Sequence, residues 1–216
     1  ACANGFHCSW SNVWVGSNDN IWIDFWLEPE EDDNLVYNGG FEDVYDAGNG
    51  WQWHAEGWSW WPEEAGNHHI EASGNYIYGS DAQFWAWEGE YSLKMWGQYN
   101  GEFNWTDYYQ TYDDLSPGMI IYADAAFMSH QDDWIGQGTN RAWLFIIYWD
   151  IDSNIIGFDT SSHFSGNYEP TMWHDVWFEG VVPEGASYVW IGVTFYQNDN
   201  DQNGSIYIDN VVAYRG

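Results

Sequence analysis

Three short stretches, Asn38-Gly-Gly-Phe-Glu42, Glu88-Gly-Glu-Tyr-Ser-Leu-Lys94 and Ile206-Tyr-Ile-Asp-Asn-Val211, each set an acidic residue beside a strand-like run. Carboxylates and backbone carbonyls released from strand pairing are the oxygen ligands that a hard cation such as Ca²⁺ takes. The stretches lie far apart in sequence, so one cation shared among them would tie distant strands of a β-sandwich together. A second oxygen-rich run places Asp199, Asp201 and Asn203 at alternate positions before Gly204. It matches the first half of a calcium loop, but position twelve holds Asn210 where a bidentate Glu is needed. A polar hairpin turn is the simpler reading of that run.

Reaction chemistry is poorly supported. A glycosidase built on β-strands needs paired carboxylates at fixed spacing on one strand. Glu28, Glu30, Glu31, Glu63 and Glu64 fall in loop-like runs instead, and no Glu-x-Asp-x-x-Glu pattern occurs. His54, His68, His69, His130, His163 and His174 lack metalloprotease spacing, and no Gly-rich phosphate loop follows a strand. The expectation is a protein without enzymatic activity.

Charge narrows the partners. The 216 residues carry 34 acids against three bases, Lys94, Arg141 and Arg215, for a net charge of −31. Such a chain is repelled by nucleic acid and by anionic lipid, and no run of apolar residues is long enough for a membrane span. Bound cations would relieve the repulsion among the acids. Cys2 and Cys8 are the only cysteines, spaced for a small disulfide loop. With the near absence of Lys, and with Ala1-Cys-Ala resembling a start left by leader cleavage, they point to an extracellular protein. Zinc ligation by these cysteines with His7 is the weaker alternative, because a closed site needs four ligands. Asn104-Trp-Thr and Asn203-Gly-Ser are glycosylation sequons that chance also produces.

The elements that must position these groups are strands. Ile21, Ile23, Phe25 and Leu27 alternate with Trp22, Asp24, Trp26 and Glu28, and period two is the strand signature. Further strands are predicted at 142–150, 172–178, 188–196 and 205–214. The turns between them are Ser116-Pro-Gly118, Asp152-Ser-Asn154, Pro183-Glu-Gly185 and the run ending at Gly204. Gly48–Ala72 reads as a long loop with short strands. The acidic run Glu28–Asp33 separates an arm, 1–33, from a module, 34–216. The arm's alternating face predicts a strand added either to its own sheet or to a neighbouring subunit. The fold class is therefore all-β, an antiparallel β-sandwich with an N-terminal strand-forming arm.

The module resembles the jelly-roll carbohydrate-binding modules of the family 4/9/16/22 type. The matching runs fall in order: Asn34–Glu42 with Trp51 or Trp53, Glu88–Lys94, Tyr109-Gln110 with Leu115–Gly118 and Tyr122, Val182–Gly192, and Ser205–Val212. The resemblance implies a structural Ca²⁺ pinning the first strand to the last. Its ligands would be the carbonyls of Gly40 and Tyr91 and the carboxylates of Glu42, Glu88 and Asp209, and five oxygens suit Ca²⁺ better than Zn²⁺. It also implies sugar binding by stacked aromatics. The candidates among 19 Trp, 16 Tyr and 11 Phe are Trp51, Trp53, Trp58, Trp60, Trp61, Trp85 and Trp87, although core packing is the usual fate of Trp. The same exposed aromatics would serve an interface equally well. The leading expectation is a calcium-stabilised subunit of an extracellular filament or tube. It would self-associate as a homo-oligomer or polymer through Ile21, Ile23, Phe25 and Leu27. Polysaccharide binding is the alternative.

Overall fold

The computed structural model describes residues 34–46, 48, 52–98, 102–198 and 204–216. The chain divides into two units, Ala1–Asn34 and Leu35–Gly216, and the description concerns the second. The arm residues Ile21, Ile23, Phe25 and Leu27, the Cys2–Cys8 loop, Trp51, and the run Asp199, Asp201, Asn203 lie outside the described residues.

Twelve strands form among the described residues: β1 Val44–Asp46, β2 Trp53–Ala55, β3 Ser59–Trp61, β4 His68–Ala72, β5 Tyr91–Trp96, β6 Asn104–Tyr112, β7 Ile120–Met128, β8 Arg141–Trp149, β9 Ile155–Thr160, β10 His174–Val181, β11 Tyr188–Gln197 and β12 Ser205–Arg215. Two five-stranded sheets carry the fold. The first runs β10-β7-β12-β5-β4, the second β3-β6-β11-β8-β9, and β1 pairs with β2 apart from both. The strand pairings are antiparallel. The result is the antiparallel sandwich expected from the alternation, in the jelly-roll form that the resemblance implies. The predicted strand at 172–178 starts later, at His174, because Thr171 adopts a turn conformation with φ 64°.

The core lies between the sheets. Alternation turns Ile121, Ala123, Ala125 and Phe127 of β7 inward, with Leu93 and Met95 of β5 and Ile206 and Ile208 of β12. From the second sheet come Tyr108, Leu144, Ile146, Tyr148, Val189, Ile191, Val193 and Phe195. Tyr108 is wholly buried, with its ring 5.4 Å from Trp58 and 6.4 Å from Phe41. Its hydroxyl accepts the Ala55 N–H at 3.0 Å, so burial does not orphan that polar group.

A second, smaller cluster sits on the outer face of the first sheet. There the connection between β4 and β5 folds back over the sheet, so that Ile77 and Phe84 bury Met128 and Tyr207. Phe84 stacks on Tyr207 at 4.2 Å. Beside them Lys94, one of the three bases, is buried with Glu71 at 3.5 Å and lies 5.2 Å from the Tyr207 ring.

The opening turn is knitted by one side chain. Asn38, at φ 50°, donates to the carbonyls of Asp43 and Glu56 and accepts the Asp43 N–H. Asn tolerates this left-handed conformation better than most residues. Gly39 follows because a Cβ there would collide with the Val211 carbonyl. On the facing strand β12 the register slips between Asp209 and Val212, with Asn210 at φ 47°. This bulge turns Val211 and Ala213 back into the core and re-aims Asp209.

Candidate functional site

Two places gather functional side chains. The first is the junction of the opening turn with β5 and β12. Gly40 has Glu88, Glu42 and Asp209 around its open flank. A Cβ added there would lie 3.2 Å from Glu88 Oε1, 3.9 Å from Glu42 Cγ and 4.0 Å from Asp209 Oδ1. The three stretches singled out in the sequence thus meet at one point of the fold.

The Glu42 and Asp209 oxygens at the junction already have protein partners. Glu42 accepts the N–H groups of Glu90 and Tyr91 at 3.0 and 3.1 Å. Asp209, fully buried, accepts from Trp87 N, Glu88 N and Ser92 Oγ with one oxygen and from Asn210 N with the other. Burial pushes the Asp209 carboxyl up to about 7 against the opposing pull of these hydrogen bonds. Among the described residues no three carboxylate, imidazole or thiol groups point at one common centre as in a finished metal cage. Phe41, between Gly40 and Glu42, is wholly buried at φ 59°. Bulky residues hold such a backbone only when the surroundings over-determine it.

The second place is the outer face of the second sheet. With Thr106, Tyr108, Ala142, Leu144, Val193 and Phe195 turned inward, the alternate residues face out. The outward rows read across the strands. Trp61 pairs with Asp107, Asp107 with Thr194, and Thr194 with Trp143. One row on, Tyr109 pairs with Gly192 and Gly192 with Phe145. A Cβ at Gly192 would strike the Tyr109 backbone and Cβ, so glycine lets Tyr109 lie across the sheet. The aromatic run continues through Trp190, 3.9 Å from Tyr109, and Trp149, 4.7 Å from Trp190.

A cleft of about 370 Å³ opens on this face. Trp105, Trp143, Phe145, Phe158 and Tyr196 wall it, and Asp107, Thr160, His163 and Thr194 supply polar groups. Trp143 stacks on His163 at 4.5 Å, and Trp61 sits 5.5 Å from Trp105 at the rim. Trp61 and Trp105 stay 42% and 38% exposed. Asp107 is only 5% exposed, and its Oδ1 accepts the Thr194 hydroxyl at 2.6 Å. Burial raises its carboxyl to about 6, with the Thr194 hydrogen bond pulling the other way. A cleft of about 410 Å³ lies between the end of β9 and β10. It offers Trp177, Tyr168 and Phe178 against the five aromatic residues of the first cleft, which is the better-formed site.

The Trp residues named from the sequence are distributed over several surfaces. Trp58 is buried, donating from Nε1 to the Asn38 carbonyl at 3.0 Å, and Trp60 is half-buried and stacks on His54 at 4.2 Å. Trp61 joins the cleft face. Trp53 is exposed on the small β1-β2 sheet. Trp85 and Trp87 are exposed beside the first sheet, where the Trp85 carbonyl accepts from Trp173 Nε1. The cleft residues Trp105, Asp107, Trp143, His163, Thr194 and Tyr196 were missed. Their signal was present: β6, β8 and β11 carry large side chains at both parities, so aromatics remain on the outward face after the core is filled.

No family model matches the chain, and no curated protein matches it. Its fold is similar to several solved structures. A cyclase from Fischerella sp. in its apo form aligns at TM-score 0.54 with 14% identity, covering 85% of this chain and 96% of that one. The CBM22-1–GH10 modules of endo-1,4-β-D-xylanase 10B from Clostridium thermocellum, complexed with xylohexaose, align at 0.51 and 14%, covering 85% and 28%. The enzymatically active domain of tailspike protein 4 from bacteriophage CBA120 aligns at 0.50 and 14%, covering 85% and 21%. The chain therefore spans about a fifth of the tailspike chain and just over a quarter of the xylanase chain. At these identities the likeness is one of fold. The chain has the jelly-roll sandwich found in carbohydrate-binding modules of the family 22 type.

Proposed function

We propose that the outer face of the second sheet binds a polysaccharide chain. The observation that carries this reading is the cleft itself, aromatic walls set around a few polar groups. Sugar rings have apolar faces that stack on aromatics and hydroxyl edges that need hydrogen-bond partners, and such a cleft answers both. Binding is favoured over hydrolysis because Asp107 is the one carboxylate among the described lining residues. A glycosidase needs two.

The test is affinity electrophoresis of the chain through a panel of soluble polysaccharides. Trp143→Ala is expected to weaken binding by about tenfold or more, the range for a buried aromatic anchor. Trp177→Ala, on the opposite sheet, serves as the control and should bind like the parent. If no polymer retards the parent, or if the control loses as much as Trp143→Ala, the reading fails.

A calcium ion at the opening junction belongs to the same proposal. Its support is that Glu88 Oε1 and Asp209 Oδ1 stand beside Gly40 with Glu42 on the same flank; the Gly40 and Tyr91 carbonyls would be further oxygen donors. A cation would offset repulsion there and bind the folded state alone, so millimolar Ca²⁺ should raise the melting temperature over chelator by about 5 °C or more. Identical melts would remove calcium from the account. An extracellular setting is part of the proposal, and among the described residues no helix is long and apolar enough to cross a membrane. The filament reading rests on residues 1–33, outside the described residues, and the cleft gives carbohydrate binding the stronger support.

A further inference from the structure

We infer that the cleft is built for an amine-bearing glycan, a polymer of amino sugars with free ammonium groups, held by Asp107 within a ring of tryptophans. This rests on the carbohydrate-binding reading above and specifies its ligand.

Asp107 is the starting observation. Its side chain is more than nine-tenths buried, lines the cleft and spends one oxygen on Thr194. No hydrogen bond or ion pair among the described residues engages its Oδ2. Neither Lys94 nor Arg215 is available, since Lys94 pairs with Glu71 and Arg215 with Asp114 at 2.9 Å. Arg141 lies opposite Tyr196 on β8 and does not line the cleft. A buried carboxylate without a cationic partner is costly. Burial raises the Asp107 carboxyl to about 6, and a cation beside it would favour the charged form.

The surrounding rings favour the same ligand. Trp61 is the cross-strand partner of Asp107, Trp105 and Tyr109 are its same-face neighbours two residues away on β6, and Trp143 stands one strand beyond Thr194. Cross-strand partners on one face stand close enough for their side chains to touch. An ammonium group beside Asp107 would therefore lie within reach of the faces of indole rings, where cation–π attraction adds to the charge-assisted hydrogen bond. The whole molecule works in the same direction. A net charge of −31 draws polycations toward the cleft and repels uronate or sulfate polymers. A neutral sugar would meet the rings but would leave the carboxylate with hydroxyl donors only.

Calorimetric titration of the full chain with three β-1,4-linked hexamers tests this: glucosamine with free, protonated amines, N-acetylglucosamine, and glucose. The glucosamine hexamer is expected to bind about tenfold or more tighter than the other two. Asp107→Asn keeps the side-chain shape and an acceptor for Thr194, and should erase that preference while leaving the weaker neutral binding. Trp61→Ala, at an exposed rim position, should reduce the preference severalfold. Added salt should weaken the amine hexamer alone. If an uncharged hexamer binds as tightly as the amine, or Asp107→Asn keeps the preference, the inference is overturned and the carbohydrate reading stands. If none of the three binds and the polysaccharide panel also shows no retardation, both are overturned.

Discussion

Asp209→Ala is expected to lower the melting temperature by roughly 10 °C. The carboxylate is fully buried and accepts four hydrogen bonds, three of them from backbone N–H groups of Trp87, Glu88 and Asn210 and one from Ser92. Alanine leaves all four donors without an acceptor. Each orphaned buried donor costs about 1–3 kcal/mol. Part of that sum is offset because the variant no longer buries a charge-bearing group, whose cost shows in the upward shift of its carboxyl. A net loss of about 3–4 kcal/mol follows, and a domain of this size melts roughly 2–4 °C lower per kcal/mol. Asp209→Asn retains one acceptor oxygen and should lose less. If the junction holds calcium, the alanine variant should also show a smaller difference between calcium and chelator. A melt within about 2 °C of the parent would mean that the four donors are satisfied some other way.

His68→Phe should stabilise the protein, and increasingly so toward acid. His68 is fully buried among Trp60, His54 and Tyr108, with ring centroids 5.0–5.3 Å apart, and neither ring nitrogen has a protein partner. Burial first, then His54 and His69, lower its pKa to about 3. The unfolded chain, near the ordinary value, therefore binds more protons than the folded one between pH 6.5 and 3. Stability from this group is whole above pH 6.5 and is lost as pH falls through that window, by up to about 1.4 kcal/mol per pH unit. Asp107 and Asp124, both raised to about 6 chiefly by burial, act in the opposite sense and become stabilising as pH falls from 6 toward 4. Phenylalanine removes only the histidine contribution. The variant should exceed the parent by about 1–2 kcal/mol at pH 8, where only the unpaired nitrogens count. At pH 4.5 a further 2–3 kcal/mol is expected, roughly. Thermal melts of both proteins across pH measure the difference, and a pH-independent gap would show that His68 does not titrate as a buried neutral group.

Much of the fold was legible because alternation survives in the long strands. β8, β11 and β12 begin and end within a residue of their predicted bounds, since their runs are rich in β-branched and aromatic residues and their turns carry Gly, Pro or Asn. The meeting of Gly40, Glu42, Glu88 and Asp209 was legible through the resemblance, which placed three distant acidic stretches beside strands that pair. The cleft was not. Trp105, Trp143 and Tyr196 belong to strands in which both faces carry large apolar side chains, and a single sequence does not say which parity points into the core. Only the register shows that Trp61, Asp107, Thr194 and Trp143 form one row. Conversely, the dense tryptophans between Trp53 and Trp61 divide between surface and interior, because Trp58 is buried and the short strand β3 turns Trp60 inward and Trp61 outward.

The knitting of the opening turn to β12 has a mechanical consequence. Leu35 N donates to the Ala213 carbonyl at 2.7 Å and Val211 N to the Gly39 carbonyl at 2.9 Å, so the chain enters this unit beside the place where β12 ends. Tension between those two points would load these bonds one after another, in peeling rather than in shear. The first resistance beyond them is the grip of Glu42 on the Glu90 and Tyr91 amides and of Asp209 on the Trp87–Glu88 backbone. The carboxylate junction is in that geometry a latch against force, and an optical-trap extension of the Asp209→Ala chain would register its removal as a lower peeling force.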